Sequence, residues 1–177
     1  MSEISLPEFE TSRLKLRQRN LQDLEACLEM DSDAEVMRYM GGLRPPDKRR
    51  AEFVAGMNEE VEPGLGYWSV FTKGSERNFL GWVLLRPLPG YSDVEIGYRF
   101  KRTAWGKGYA TEAATAVLNY GFDTVNLDEI VAVIHAENER SQRVIKKLGL
   151  ISDGMRKAYG GKEIPFYRLT RSQYLQD

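Results

Sequence analysis

Residues 130–134 read IVAVI, apolar without a break, and a helical pattern lies on each side of them. A strand with no polar face must be covered on both sides, so it belongs inside a sheet that carries helices. Before it, Ala110, Ala113, Ala114, Val117 and Gly121 recur at helical spacing within a helix over about Tyr109 to Thr124. These side chains are small enough for the helix to lie close to a sheet. After it, Ser141, Val144, Ile145 and Leu148 mark a helix that opens near Asn138 and stops at Gly149.

The first half has a different rhythm. RLKLRQ at 13–18 alternates apolar and polar residues, as a half-buried strand does. Asn20 is a helix cap for a segment through about Met30, and a second helix fits between Pro45-Pro46 and Pro63-Gly64. Three strand patterns follow, Tyr67–Thr72, Phe79–Leu88 and Asp93–Phe100, joined by the turn-rich links KGSERN and PGYS. Two more, Ile151–Tyr159 and Pro165–Leu169, meet at Gly160-Gly161. The expected fold is a single α/β (α+β) domain over residues 1–177. Its mixed, mainly antiparallel central sheet of about seven strands is flanked by helices.

Several functions are excluded by what the chain lacks. Its formal charge is −1 over 177 residues, so no broad basic surface exists for nucleic acid. Cys27 and His135 are the only residues of their kinds, which removes disulfides and Cys- or His-rich metal sites. No metal is expected. No apolar run reaches membrane-spanning length, and MSEISLPEFE has neither a basic start nor an apolar stretch. The expected location is cytoplasmic.

The chemistry concentrates in RTAWGKGYATE, residues 102–112. Gly106 and Gly108 flank Lys107 just before a helix, so backbone N–H groups and the helix dipole can meet at one phosphate. Two nucleotide loops fail here: Gly108 precedes Tyr109 rather than a Lys-Ser/Thr pair, and Thr111 stands where a dinucleotide fingerprint needs glycine. A plain tight turn remains open as a reading of the loop alone. Upstream, VEIGYRF carries Gly97 inside a strand, the mark of a bulge or a close approach. Downstream, Asn138 and Ser141 open a helix at the end of the buried strand, where Asn138 is either an N-cap or a ligand contact.

VEIGYRF, AWGKGYATEA and NERSQRVIKKLGL, in this order and spacing, resemble the GNAT superfamily of acyl-coenzyme A-dependent N-acetyltransferases. The similarity extends to its ribosomal-protein N-terminal acetyltransferase branch, whose opening strand TSRLKLR resembles. It covers roughly residues 9–170. The resemblance implies a splayed parallel pair formed by the Ile96-Gly97-Tyr98 strand and the strand from Ile130. It implies acetyl-CoA as cosubstrate, its pyrophosphate on Trp105, Gly106, Lys107, Gly108, Tyr109, Ala110 and Thr111, and its pantetheine arm against Ile96, Gly97, Tyr98 and Asn138. Thr103 stands where the family places Gln or Arg, which leaves the diphosphate to backbone donors.

Such a reaction moves an acetyl group to a primary amine, with a protein or peptide N-terminal α-amine as the first expectation. A polyamine, amino-acid or aminoglycoside acceptor is the alternative, as is an acyl-CoA-binding module without catalysis. The amine must lose a proton, and Glu95 on the proposed splayed strand is the expected base, with Asp93 in reserve. Ile145 replaces the tyrosine acid of many relatives, so Ser141 is the candidate proton donor to sulfur. A polyamine site is expected to be acidic, and Glu59, Glu60 and Glu62 form the one acidic group nearby. Candidate acceptor-pocket residues are Tyr39, Tyr67, Trp68, Trp82 and Tyr91. Similar proteins also make a homodimer conceivable.

Overall fold

The computed structural model describes residues 5–74 and 77–176. Met1 to Ile4 of the N-terminal stretch and residues 75–76 of the KGSERN link lie outside the described residues. Eight strands form one sheet in the order β1-β2-β3-β4-β5-β6-β8-β7. They are β1 (Phe9–Glu10), β2 (Leu14–Gln18), β3 (Gly66–Thr72), β4 (Phe79–Pro87), β5 (Val94–Phe100), β6 (Glu129–Val133), β7 (Ile151–Ala158) and β8 (Lys162–Thr170). All neighbours are antiparallel except β5 and β6. The added strand is β1, whose two residues are too few to show a period.

The expected helices are present with local corrections. Asn20 caps a 3-10 turn, Leu21–Asp23, in a capping box with Asp23, and only then does α1 (Leu24–Asp31) begin. A short α2 (Ala34–Met37), capped by Asp33, follows. The second helix pattern is α3 (Pro46–Met57), ending well before Pro63. Then come α4 (Tyr109–Asp123), α5 (Glu139–Lys147) and α6 (Arg171–Tyr174).

The sheet divides the molecule into two layers. On one face, Ala113, Ala114 and Val117 of α4, Ile145 of α5 and its C-cap Leu148 bury against Leu14, Leu16, Val83, Leu85, Ile96 and Ile130. On the other, Cys27 and Met30 of α1, Val36 of α2 and Phe53 of α3 pack on Trp82 and Leu84 of β4. The small stripe of α4 acts as its spacing implies: a Cβ on Gly121 would stand 2.8 Å from Ile130 Cδ1.

Gly97 makes no bulge. β4 and β5 pair without interruption from Gly81↔Phe100 to Pro87↔Val94. Leu84 fills the space over Gly97, where an added Cβ would meet Leu84 Cγ at 3.2 Å. The glycine with no alternative is Gly81, at φ 156, where a Cβ would stand 2.1 Å from the Arg99 carbonyl oxygen. The register of β3 on β4 shifts beside it, between Val70 and Phe71.

Candidate functional site

Among the described residues, Glu95↔Val131 is the sole register pair between β5 and β6. Past it, β5 stays paired with β4 as far as Phe100 but has no ladder partner on the β6 side, an edge that another extended chain could join. The expected parting of these strands is therefore present, without a bulge to cause it. Tyr98 spans the gap: its hydroxyl donates to the Ser141 carbonyl at 3.0 Å, tying β5 to the first turn of α5. Burial drives the Tyr98 hydroxyl above its ordinary pKa, so it stays a donor.

A cleft of about 790 Å³ opens at this gap. Tyr98, Trp105, Gly106, Gly108, Tyr109, Ala110, Thr111, Asn138 and Ser141 all line it. Ile96, Gly97 and Lys107 do not: Ile96 is in the core, and Lys107 is exposed with its carbonyl accepting from Arg13 at 2.8 Å. Gly106 and Gly108 take φ of 73 and 79, which L side chains rarely adopt. A Cβ on Gly106 would meet nothing within 4 Å, so this backbone faces open space. No side chain caps α4 after Gly108, and its leading amides are left for a ligand. Asn138 caps α5 by accepting from the Ser141 amide at 3.2 Å.

The wall of the cleft is cationic. Arg102, Arg140, Arg143 and Lys147 line it, against Glu35 as the acid among its lining residues. Arg140 also lies over the Trp105 ring, 4.4 Å from its centre. Glycine backbone, open helix amides and a basic rim suit a diphosphate better than any neutral ligand. Sequence reasoning missed Arg140, Arg143 and Lys147, although their spacing on one helix was visible.

Sequence reasoning also missed Arg13. Its guanidinium bonds the Lys107 carbonyl, pairs with Glu112 at 2.7 Å and lies 4.6 Å from the Tyr109 ring centre. Glu112 in turn accepts from Thr11, Ser12 and the Arg13 amide. The turn before β2 thus braces the glycine loop from outside. No local pattern could reveal a pair separated by 99 positions.

Glu95 lies outside the lining of this cleft, at the last paired position before the strands part. It is 3% exposed, and burial raises its pKa; bonds from Tyr159 and Arg86 pull the other way. The Tyr159 hydroxyl donates to its carboxylate, and Arg86 Nε approaches at 3.3 Å. Tyr159 itself sits at φ 45, in the turn between β7 and β8. On the same sheet face, Asp23 accepts from Arg17 and Ser69, and Asp31 from Arg49 and Arg99. Glu52 is held by Arg44 and Arg49.

Of the proposed acceptor-pocket aromatics, Tyr39 lines the cleft, its ring tilted against His135 with centres 4.9 Å apart. Tyr67 and Trp82 meet edge to face, Trp68 is core, and Tyr91 donates to the Lys157 carbonyl. His135 Nδ1 accepts from the Glu137 amide, a turn role. Ile145 is fully buried, so no acid stands there. Cys27 is fully buried too, and burial pushes its thiol up to about 12. No group of His, Cys, Asp and Glu among the described residues could hold a metal. No helix among them is long and apolar enough to cross a membrane.

Comparison with known proteins converges on one family. The sequence profile of the Acetyltransferase (GNAT) domain matches residues 13–151. The N-acetyltransferase YnaD of Bacillus subtilis (strain 168), itself uncharacterized, is 34% identical over 146 residues, which are 81% of this chain and 82% of YnaD. A GNAT-family acetyltransferase structure from Bacillus anthracis superposes with a TM-score of 0.78 at 28% identity, covering 94% of this chain and 99% of that one. Spermidine N-acetyltransferase from Vibrio cholerae, solved with CoA and spermine, shares the fold with a TM-score of 0.74 at 18% identity, over 93% of this chain and 99% of that one. With the parted β5–β6 pair and the glycine loop at the head of α4 in place, these matches make the chain a member of the GNAT acetyltransferase family.

Proposed function

We propose that this protein transfers the acetyl group of acetyl-CoA to a primary amine, foremost a peptide N-terminal α-amine and alternatively a small molecule, by direct attack in a ternary complex. The observation that carries this reading is the cleft itself. It joins a phosphate cradle (Trp105 to Thr111) to the strand gap beside Tyr98, with Asn138 and Ser141 opposite. The cosubstrate supplies the activated thioester: a C–N bond forms, the C–S bond breaks, and the amine loses one proton.

Glu95 is the proposed acceptor of that proton. Burial holds its pKa above the usual carboxylate range, which brings it closer to that of an amine. Tyr159 and Arg86 fix the carboxylate in place. Ser141 is the proposed donor to the departing sulfur, as the position used by a tyrosine elsewhere holds buried Ile145. Cys27 is too buried and too basic for a covalent acetyl relay.

Thiol release from acetyl-CoA in the presence of amines tests the proposal. Glu95→Gln is expected to lower kcat about 10²- to 10³-fold, with acetyl-CoA affinity by calorimetry unaltered. Unchanged turnover removes Glu95 from the reaction, and binding of acetyl-CoA without turnover of any amine favours a non-catalytic acyl-CoA module. The ascending limb of the kcat/KM–pH profile reports Glu95 and lies above the usual carboxylate range.

A further inference from the structure

On the sheet face covered by α1 to α3, Asp23, Asp31, Glu52 and Glu95 each have a guanidinium, whereas the Arg19 guanidinium has no carboxylate among the described residues. Arg19, at the end of β2, makes no side-chain hydrogen bond or ion pair among the described residues, and its Nε is buried without a partner. It lies 3.8 Å from the centre of the Tyr67 ring, and 5.5 Å from the centres of both Phe53 and Trp82. Asp23 is near enough to act on it, but both its oxygens are taken by Arg17, with Ser69 and the Asn20 amide adding to one. Arg99, whose Nε is also buried and unpartnered, repels it. Trp82 Nε1 is a third buried donor without an acceptor in the same cluster.

The position is tied to the proposed chemistry. Arg86, which holds Glu95, lies over the same Tyr67 ring at 5.6 Å, so one ring separates Arg19 from the base and its clamp. An unbalanced cation in an aromatic box costs desolvation that an anion would offset. Burial lowers the Arg19 pKa, the direction expected of a cation short of counter-charge. Arg19 as a whole is half-buried rather than enclosed in the core.

Resting on the acetyltransferase reading, we infer that Arg19 receives a carboxylate of the acceptor, whose apolar side chain lies along the half-buried Tyr67 ring. The substrate class is then an amine that also carries an acid: a free amino acid, or a peptide with an acidic side chain near its N-terminus. A polyamine brings only positive charge to a face where cations already exceed acids, and is disfavoured. The exposed group Glu59, Glu60 and Glu62 sits on the loop after α3 and adds nothing to this box.

The test measures kcat/KM by thiol release for matched pairs: leucine against leucinamide, and alanylglutamate amide against alanylglutamine amide, with spermidine beside them. The acid of at least one pair is expected to exceed its neutral partner by about tenfold or more, the first pair indicating a free amino acid and the second a peptide. In Arg19→Gln that ratio is expected to fall to about one, and Arg19→Lys to restore part of it. A wild-type ratio near one in both pairs, a preference for spermidine, or a ratio untouched in Arg19→Gln overturns the inference while leaving acetyl transfer intact. If no amine is turned over, the acetyltransferase reading fails by itself, and thermal shift of the CoA complex decides for Arg19. Stabilisation by N-acetylleucine but not N-acetylleucinamide supports the anion site; equal effects sink it. The wild-type comparisons hold even if a variant does not fold.

Discussion

Glu112 is a carboxylate held by its neighbours well below its ordinary pKa. Burial works to raise its pKa, but bonds from Thr11, Arg13 and Ser12 outweigh that and hold it at about 2. Its unfolded value is near ~4.3, so the folded state gains stability that is full above that pH and is lost as pH falls toward the folded value. Glu112→Gln is expected to cost about 2 kcal/mol at neutral pH, read by urea denaturation. The gap between the two proteins closes as pH falls from about 5 to about 2. The same variant is expected to raise the KM for acetyl-CoA, since Arg13 loses the partner that steadies its bond to the Lys107 carbonyl. Glu112 was readable in the sequence only as a first-turn acid that favours the helix dipole. Its larger role depends on Arg13, and one sequence holds no trace of which distant residue a side chain will meet. The strand face that Glu95 takes was legible from alternation, but its partners Tyr159 and Arg86 were not, because the β7–β8 turn meets β4 and β5 only through the folded sheet.

Between elements, the glycines separate space from conformation. Gly81→Ala is expected to destabilise by about 3 kcal/mol or more, since its Cβ would enter the Arg99 carbonyl and neither backbone can yield. Thermal unfolding reads this directly. Gly108→Ala is a different case. Its cost is about 1 kcal/mol for the left-handed conformation at φ 79, and its main expected effect is a higher KM for acetyl-CoA with kcat near wild type. A kcat loss with KM unchanged would show that the loop does not hold the cosubstrate. The long elements were readable because periodicity over many residues averages out local noise. Tyr109–Asp123 and Glu129–Val133 match their patterns to within a residue. The two-residue β1 and four-residue α2 were not, as neither is long enough to display a period. Gly97 misled for a related reason: a glycine in a strand signals close approach, and only the partner strand decides whether backbone or a leucine does the approaching.

At the scale of the molecule, one sheet separates two layers, the glycine loop with α4 and α5, proposed to hold the diphosphate, and the arginine-rich face with α1 to α3. Cys27 lies inside the second layer, fully buried. Iodoacetamide is expected to leave native activity intact and to label the thiol only on global unfolding, so labelling kinetics should track denaturant unfolding. Rapid labelling with loss of activity would contradict the direct-transfer route. The layering was legible in the order of strand and helix patterns. The ionic cross-links within the second layer were not, since Asp31, Arg49 and Arg99 come from three separate elements. Arg13 carries one further consequence, for the chain during synthesis. The cradle has its outer brace only once residue 13 has met Glu112, a contact spanning most of the sequence. A nascent chain that has not reached α4 has nothing for that arginine to grip. The proposed capture of acetyl-CoA should therefore wait for the earliest segment to close upon a late one, and losing the first thirteen residues, Arg13 included, is expected to abolish it even where the rest of the sheet survives.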